Sequence, residues 1–207
     1  MNTGSGLLYT QFIMIDILDQ IKPMLEFESE DDFYYLQIMQ RKKENPQLGS
    51  NSRVVKNYYI RNFKYLEKRY DEIKAVCKLF NARAMLRLNK RSFRNVAFKT
   101  MQNIANSMAN GEYSFIRKSY DRACGDGHND TIKKWIIDID GEHDESYVQA
   151  MIDHIERSRP EGKKLLLRLP TKNGIHLITR PFDLRDFKPD YPDVDVHKDN
   201  PVNLFVP

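Results

Sequence analysis

Little in this sequence identifies it at first sight. Only two cysteines, Cys77 and Cys124, occur in 207 residues. No disulfide framework can be drawn, and a reducing compartment is expected. No stretch of about 18 apolar residues appears, and the first residues lack the basic, apolar and small-residue succession of a secretion signal. These absences predict a chain with no membrane span, placed in the cytoplasm of a bacterium, or of the host if the chain is viral. Cys124-Gly125-Asp126-Gly127-His128 has no second pair at ligand spacing, so a zinc reading is weak. Neither sign of charge dominates, since 33 Lys and Arg stand against 29 Asp and Glu. The distribution says more: 21 basic against 15 acidic residues precede Thr131, and 12 against 14 follow from it. A polyanion and a cation would then be held by different regions; a scatter of solvated charge gives the same counts.

What is present centres on K-W-I-I-D-I-D-G, residues 134–141. Trp135, Ile136, Ile137 and Ile139 predict a buried strand, yet it carries Asp138 and Asp140, which period-two geometry places on one face. Two such carboxylates repel and lose hydration unless a cation sits beside them. Mg²⁺ or Mn²⁺ suits carboxylate oxygen and leaves positions open for phosphate. The plainer alternative is a strand running into a solvated turn at Gly141.

Upstream, apolar spacing over residues 8–25, with Phe12, Ile15, Ile17 and Ile21, predicts a helix ending near Pro23. Strands are expected over 33–39 and 54–60, joined by a basic tip at Arg41, Lys42 and Lys43. Tyrosines including Tyr58 interleave with these cations, a pattern suited to single-stranded nucleic acid or a nucleotide and equally to a half-buried sheet with a basic loop. A helix over 62–80, a strand over 82–88 and a helix capped by Ser92 follow. Arg83 and Arg87 on that strand are either phosphate contacts or a solvated face. Residues 113–130 read as a mobile loop. Beyond Gly141 come a helix over 145–157 and strands over 164–169 and 175–179, a β-α-β unit around the acidic pair. The turn between the last two strands offers Thr171, Lys172 and the Gly174 amide before His176, a suitable cradle for a di- or triphosphate. Asp195, between two valines, precedes a final strand over 202–206.

Taken together, W-I-I-D-I-D, T-K-N-G-I-H and V-D resemble, in order, the acidic-pair strand, the histidine strand and the third-acid strand of the archaeo-eukaryotic primase superfamily, the primase-polymerases. The resemblance is strongest over residues 133–207. It implies an α+β fold in which a mixed lobe, residues 1–130, packs on an RRM-like lobe, residues 131–207, with the acidic pair on its central strand. It also implies metal-dependent, template-directed nucleotidyl transfer in phage or plasmid replication. Asp138, Asp140 and Asp195 would be the metal ligands and, with His176, the catalytic residues, with Asp193 a rival third acid. Thr171, Lys172, Gly174 and His176 would bind the nucleotide. Arg41, Lys42, Lys43, Tyr58, Arg83 and Arg87 are the candidates for contact with a single-stranded DNA or RNA template. Nucleoside triphosphates and a helicase or accessory primase subunit are the implied partners. A non-catalytic nucleotide- or single-stranded nucleic-acid-binding module or split-primase subunit, and a metal-dependent nuclease or phosphoesterase, are the alternatives.

Overall fold

Residues 14–49, 51–127 and 133–207 are described by the computed structural model of the chain. Alternating residues build its first sheet. In β2 (Asp32–Gln40), Tyr34, Leu36 and Ile38 turn to one face and Phe33, Tyr35 and Gln37 to the other, as a period of two requires. β3 (Arg53–Ile60) and β4 (Arg83–Arg87) flank β2 antiparallel. The first face is covered by α2 (Phe63–Phe80), whose Leu66, Tyr70, Ile73 and Cys77 pack into the core with Leu36 and Ile38. Asn62 caps this helix by accepting the Tyr65 amide, and Asn81 ends it in the left-handed conformation at φ 45°. Asparagine tolerates that conformation better than most residues.

The second face is covered over part of its length. β5 (Arg91–Ser92) pairs with the start of β2 and leads into α3 (Phe93–Ala109), capped by Ser92 as the sequence predicts. Residues 113–127 are not a loop. A 3-10 segment, Tyr113–Lys118, runs into α4 (Ser119–Asp126), because Ala123, Cys124 and Tyr120 have Phe33, Tyr35 and Tyr59 to bury against. His128 lies outside the described residues.

The second sheet comprises β6 (Trp135–Asp140), β7 (Leu165–Pro170), β8 (Gly174–Thr179) and β9 (Asp195–His197), ordered β7-β8-β6-β9 with every pair antiparallel. β6 and β7 are therefore parallel but separated by β8, a split β-α-β unit connected by α5 (Glu145–Arg157). A further helix, α6 (Leu184–Asp190), joins β8 to β9; Asp183 caps it and Phe187 buries it, although Pro189 hides it from sequence patterning. Trp135, Ile137 and Ile139 face α5 and α6, while Ile136, Ile178 and Leu169 join the first sheet's core.

Two expectations fail at the chain's ends. The described part of the expected first helix is β1 (Ile15–Asp16), the single turn α1 (Leu18–Ile21) and a 3-10 turn, Lys22–Met24. Ile15 and Ile17 are buried at strand spacing because β1 pairs with β10 (Pro201–Val206). Phe12 lies outside the described residues. β10 itself belongs to the first sheet, in the order β1-β10-β4-β2-β3, so residues 131–207 do not form one lobe by strand pairing. The architecture is α+β with two antiparallel sheets, and no helix among the described residues is long and apolar enough to cross a membrane.

Candidate active site

The register of the second sheet assembles the site. Asp138 on β6 stands opposite His176 on β8 and opposite Asp195 on β9, while Asp140 stands opposite Gly174. Directly paired residues project to the same side of a sheet, so three carboxylates and one imidazole share a face. Asp195, in register with Asp138, is the third acid of this face, whereas Asp193 lies in the turn before β9. A second imidazole joins them: His197 stands opposite Ile136, two residues beyond Asp195, and its Nε2 lies 3.8 Å from Asp138 Oδ2. The alternation V-D-V-H places it on this face, a signal the sequence reading passed over.

Asp138 is the half-buried member, and Asp140 and Asp195 are exposed. His176 Nε2 lies 3.1 Å from Asp138 Oδ1. Oδ1 is buried, and the contact falls short of a well-directed hydrogen bond among the described residues. His176 holds the Asp138 carboxyl below the ordinary range, against burial, which raises it; His197 and Arg41 add to the lowering.

The turn from β7 to β8 is pinned against the end of β6. Thr171 N donates to Gly174 O at 2.9 Å, and Gly141 N donates to Asn173 O at 2.7 Å. A Cβ at Gly174 would lie 2.0 Å from the Ile139 carbonyl oxygen, so only glycine permits β8 to approach β6 this closely. His143 Nε2 lies 2.8 Å from the Asp140 carbonyl oxygen and its ring stacks on Tyr147.

A cavity of about 170 Å³ opens between the sheets. Asp138, Asp140, His176 and the turn residues Thr171, Lys172 and Asn173 line one side, and Arg41, Lys43, Arg83 and Asn203 line the other. Asn203 Oδ1 is buried there without a hydrogen-bond partner among the described residues. A larger hollow of about 880 Å³, lined by Lys133, Arg159, Arg180 and Phe182, lies past the opposite ends of β6 and β8 and contains none of the acids. Chemistry places the site in the smaller cavity, where carboxylates face cations.

The structure divides the candidate template contacts. Arg41, Lys43 and Arg83 reach the cavity. Lys42 instead folds back on its own loop, bonding the carbonyls of Pro46 at 3.0 Å and Leu48. Tyr58 lies on the face under α2 and donates to Glu72 at 2.9 Å. Arg87 is turned to the Asp199 carbonyl and carboxylate, the latter at 3.5 Å, and braces the turn before β10. Each of these three side chains is committed to an internal acceptor and stands outside the cavity wall, whereas Arg83 is paired with Glu44 and still lines the cavity.

The donor set fits a hard divalent ion in chemistry, with carboxylate oxygens and one buried Oδ1 lacking an aligned donor. Among the described residues no group of three His, Cys, Asp or Glu side chains is placed so that it could hold a metal ion. Comparison with known proteins adds no relative: no protein family, no curated protein and no solved structure matches the chain significantly.

Proposed function

We propose that the chain is a metal-dependent nucleotidyltransferase of the primase-polymerase type. One observation carries this reading: Asp138 and His176, which share one sheet face in register with Asp195, line a cavity whose other side is Arg41, Lys43 and Arg83. A row of carboxylates facing a row of cations suits a ligand that is itself a metal–polyphosphate. The β-α-β-β-α-β order of the second sheet supports the RRM-like lobe that the resemblance implies.

In this reading Asp138, Asp140 and Asp195 hold Mg²⁺ or Mn²⁺, which when bound neutralises phosphate charge and lowers the pKa of an attacking hydroxyl. Lys172 and the Thr171 hydroxyl hold the triphosphate on one side and Arg83 on the other. His176 keeps Asp138 ionised and oriented. Arg41 and Lys43 remain as contacts for the phosphates of nucleotide or template.

The test is incubation of the purified chain with primed and unprimed single-stranded templates, labelled ribo- and deoxyribonucleoside triphosphates, and either metal. Extension that requires metal and disappears in Asp138→Asn is expected. Incorporation undiminished in a folded Asp138→Asn protein would overturn the assignment. Nucleotide binding without incorporation would move it to the binding module, and strand cleavage without triphosphate to the nuclease.

A further inference from the structure

Glu44 pairs with two of the cations that line the cavity, Arg83 and Lys172, and it is placed there by a built turn. The tip of the β2–β3 hairpin folds so that Glu44 N and Asn45 N each donate to Arg41 O at 3.0 Å. The Asn45 side-chain amide donates to Arg41 O at 3.1 Å and to Asn81 O at 3.0 Å, tying the turn to the end of α2. Glu44 then grips the Arg83 guanidinium with both oxygens, Nε meeting Oε2 at 3.0 Å and Nη2 meeting Oε1. Arg83 is almost wholly buried, at 4% exposure. Lys172, from the other sheet, brings Nζ to 3.7 Å of the same Oε1. A fork-to-fork carboxylate pair is the geometry by which arginine also takes phosphate.

We propose that Glu44 is an internal stand-in for phosphate, occupying Arg83 and Lys172 until a polyphosphate displaces it. The proposal rests on the cavity being a triphosphate cradle, as above, and names what regulates entry to it. Four cations, Arg41, Lys43, Arg83 and Lys172, line the cavity. Displacing Glu44 costs every anion the same free energy, so it acts as a threshold. A single phosphate, with about two charges, meets too few cations to cross it at ordinary concentration. The chain of a nucleoside triphosphate engages all four at once. Burial pushes the Glu44 carboxyl up, but Arg83, Lys172 and Arg41 hold it below the ordinary range, so the stand-in stays anionic at neutral pH.

The experiment is calorimetric titration of the full chain and Glu44→Gln, in chelator and without metal, with inorganic tripolyphosphate and with orthophosphate. Glutamine keeps the size and one acceptor for Arg83 but removes the charge. Both probes should bind about tenfold tighter to the variant, and orthophosphate should become measurable. A purely structural carboxylate would show the opposite, weaker binding together with lower stability. Wild-type binding of tripolyphosphate with equal or weaker binding by a folded Glu44→Gln overturns the stand-in and leaves the cradle standing. No binding of tripolyphosphate by either protein, in chelator or in a repeat with Mg²⁺, overturns both. Should Glu44→Gln fail to fold, Glu44→Asp, which withdraws the carboxylate by one methylene, is judged on the same sign.

Discussion

Asp138 is the residue on which the site turns, and its chemistry is set by what stands opposite it. His176 and His197 approach its two oxygens at 3.1 and 3.8 Å, so the carboxylate is ionised and flanked before any ligand arrives. Gly174 decides whether that arrangement exists. Its Cβ position lies 2.0 Å from Ile139 O and 3.1 Å from the Asp140 Cα, and both atoms are backbone that cannot swing aside. Gly174→Ala must therefore push β8 from β6, costing about 3 kcal/mol, the upper range of overpacking, and carrying His176 away from Asp138. Urea unfolding checks the first effect and tripolyphosphate binding the second; an unchanged midpoint would show that the close approach is not there. At this scale much was legible. Asp138, Asp140, His176 and Asp195 follow from alternation within short strands, and so does His197, had the same count been continued two residues. Glu44 and Asn203 were not legible, because nothing local tells a loop glutamate which cations it will pair with or a strand asparagine which cavity it will border.

Elements are held in place by contacts of long sequence separation, chiefly around Arg91. Its guanidinium, 1% exposed, donates to Asp199 Oδ1 at 3.1 Å and Oδ2 at 2.6 Å and to Cys124 O at 2.9 Å. Asn89 alongside donates to Lys134 O at 3.0 Å and Lys198 O at 3.2 Å and accepts from Lys134 N at 2.7 Å. One arginine and one asparagine thus fasten β5, α4, the entry to β6 and the turn from β9 to β10. Asp199→Ala leaves Arg91 charged and buried with Arg87 beside it, and should cost about 3 to 5 kcal/mol. The check is equilibrium denaturation, with a loss below about 1 kcal/mol counting against the network. The helices with apolar stripes, α2 and α3 with side-chain caps and α5 without one, were readable from sequence. α4 was not, because its burial depends on aromatic residues of β2 and β3, and Arg87 was misread because its partner lies 112 residues away. Such pairs leave no periodic trace.

For the whole molecule the decisive element is β10. It lies between β1 and β4 in the first sheet while its preceding strand, β9, carries Asp195 in the second. The chain therefore crosses between sheets within the few residues that separate Asp195 from Asn203, and both walls of the cavity are covalently coupled there. The sequence shows a terminal strand but not its partners, since strand pairing is non-local whereas alternation is local. That is why two lobes divided near residue 130 were the natural reading and a shared sheet was the outcome. The coupling has a stability consequence. Val202, Leu204, Phe205 and Val206 are all buried, at 0%, 0%, 1% and 5% exposure. Burial contributes roughly 1.5 to 3 kcal/mol for each such side chain, about 6 to 12 in all, which is comparable with the whole stability of a typical domain. Removing residues 201–207 should therefore unfold the first sheet and, with it, the Arg83 wall, not merely trim an edge. Circular dichroism melts and amide exchange of β2 and β4 measure this: the shortened chain should lose its cooperative transition and the protection of both strands. Retention of either at the full-length level would mean that β1 and β4 close the sheet without β10, and that the two sheets are independent units after all.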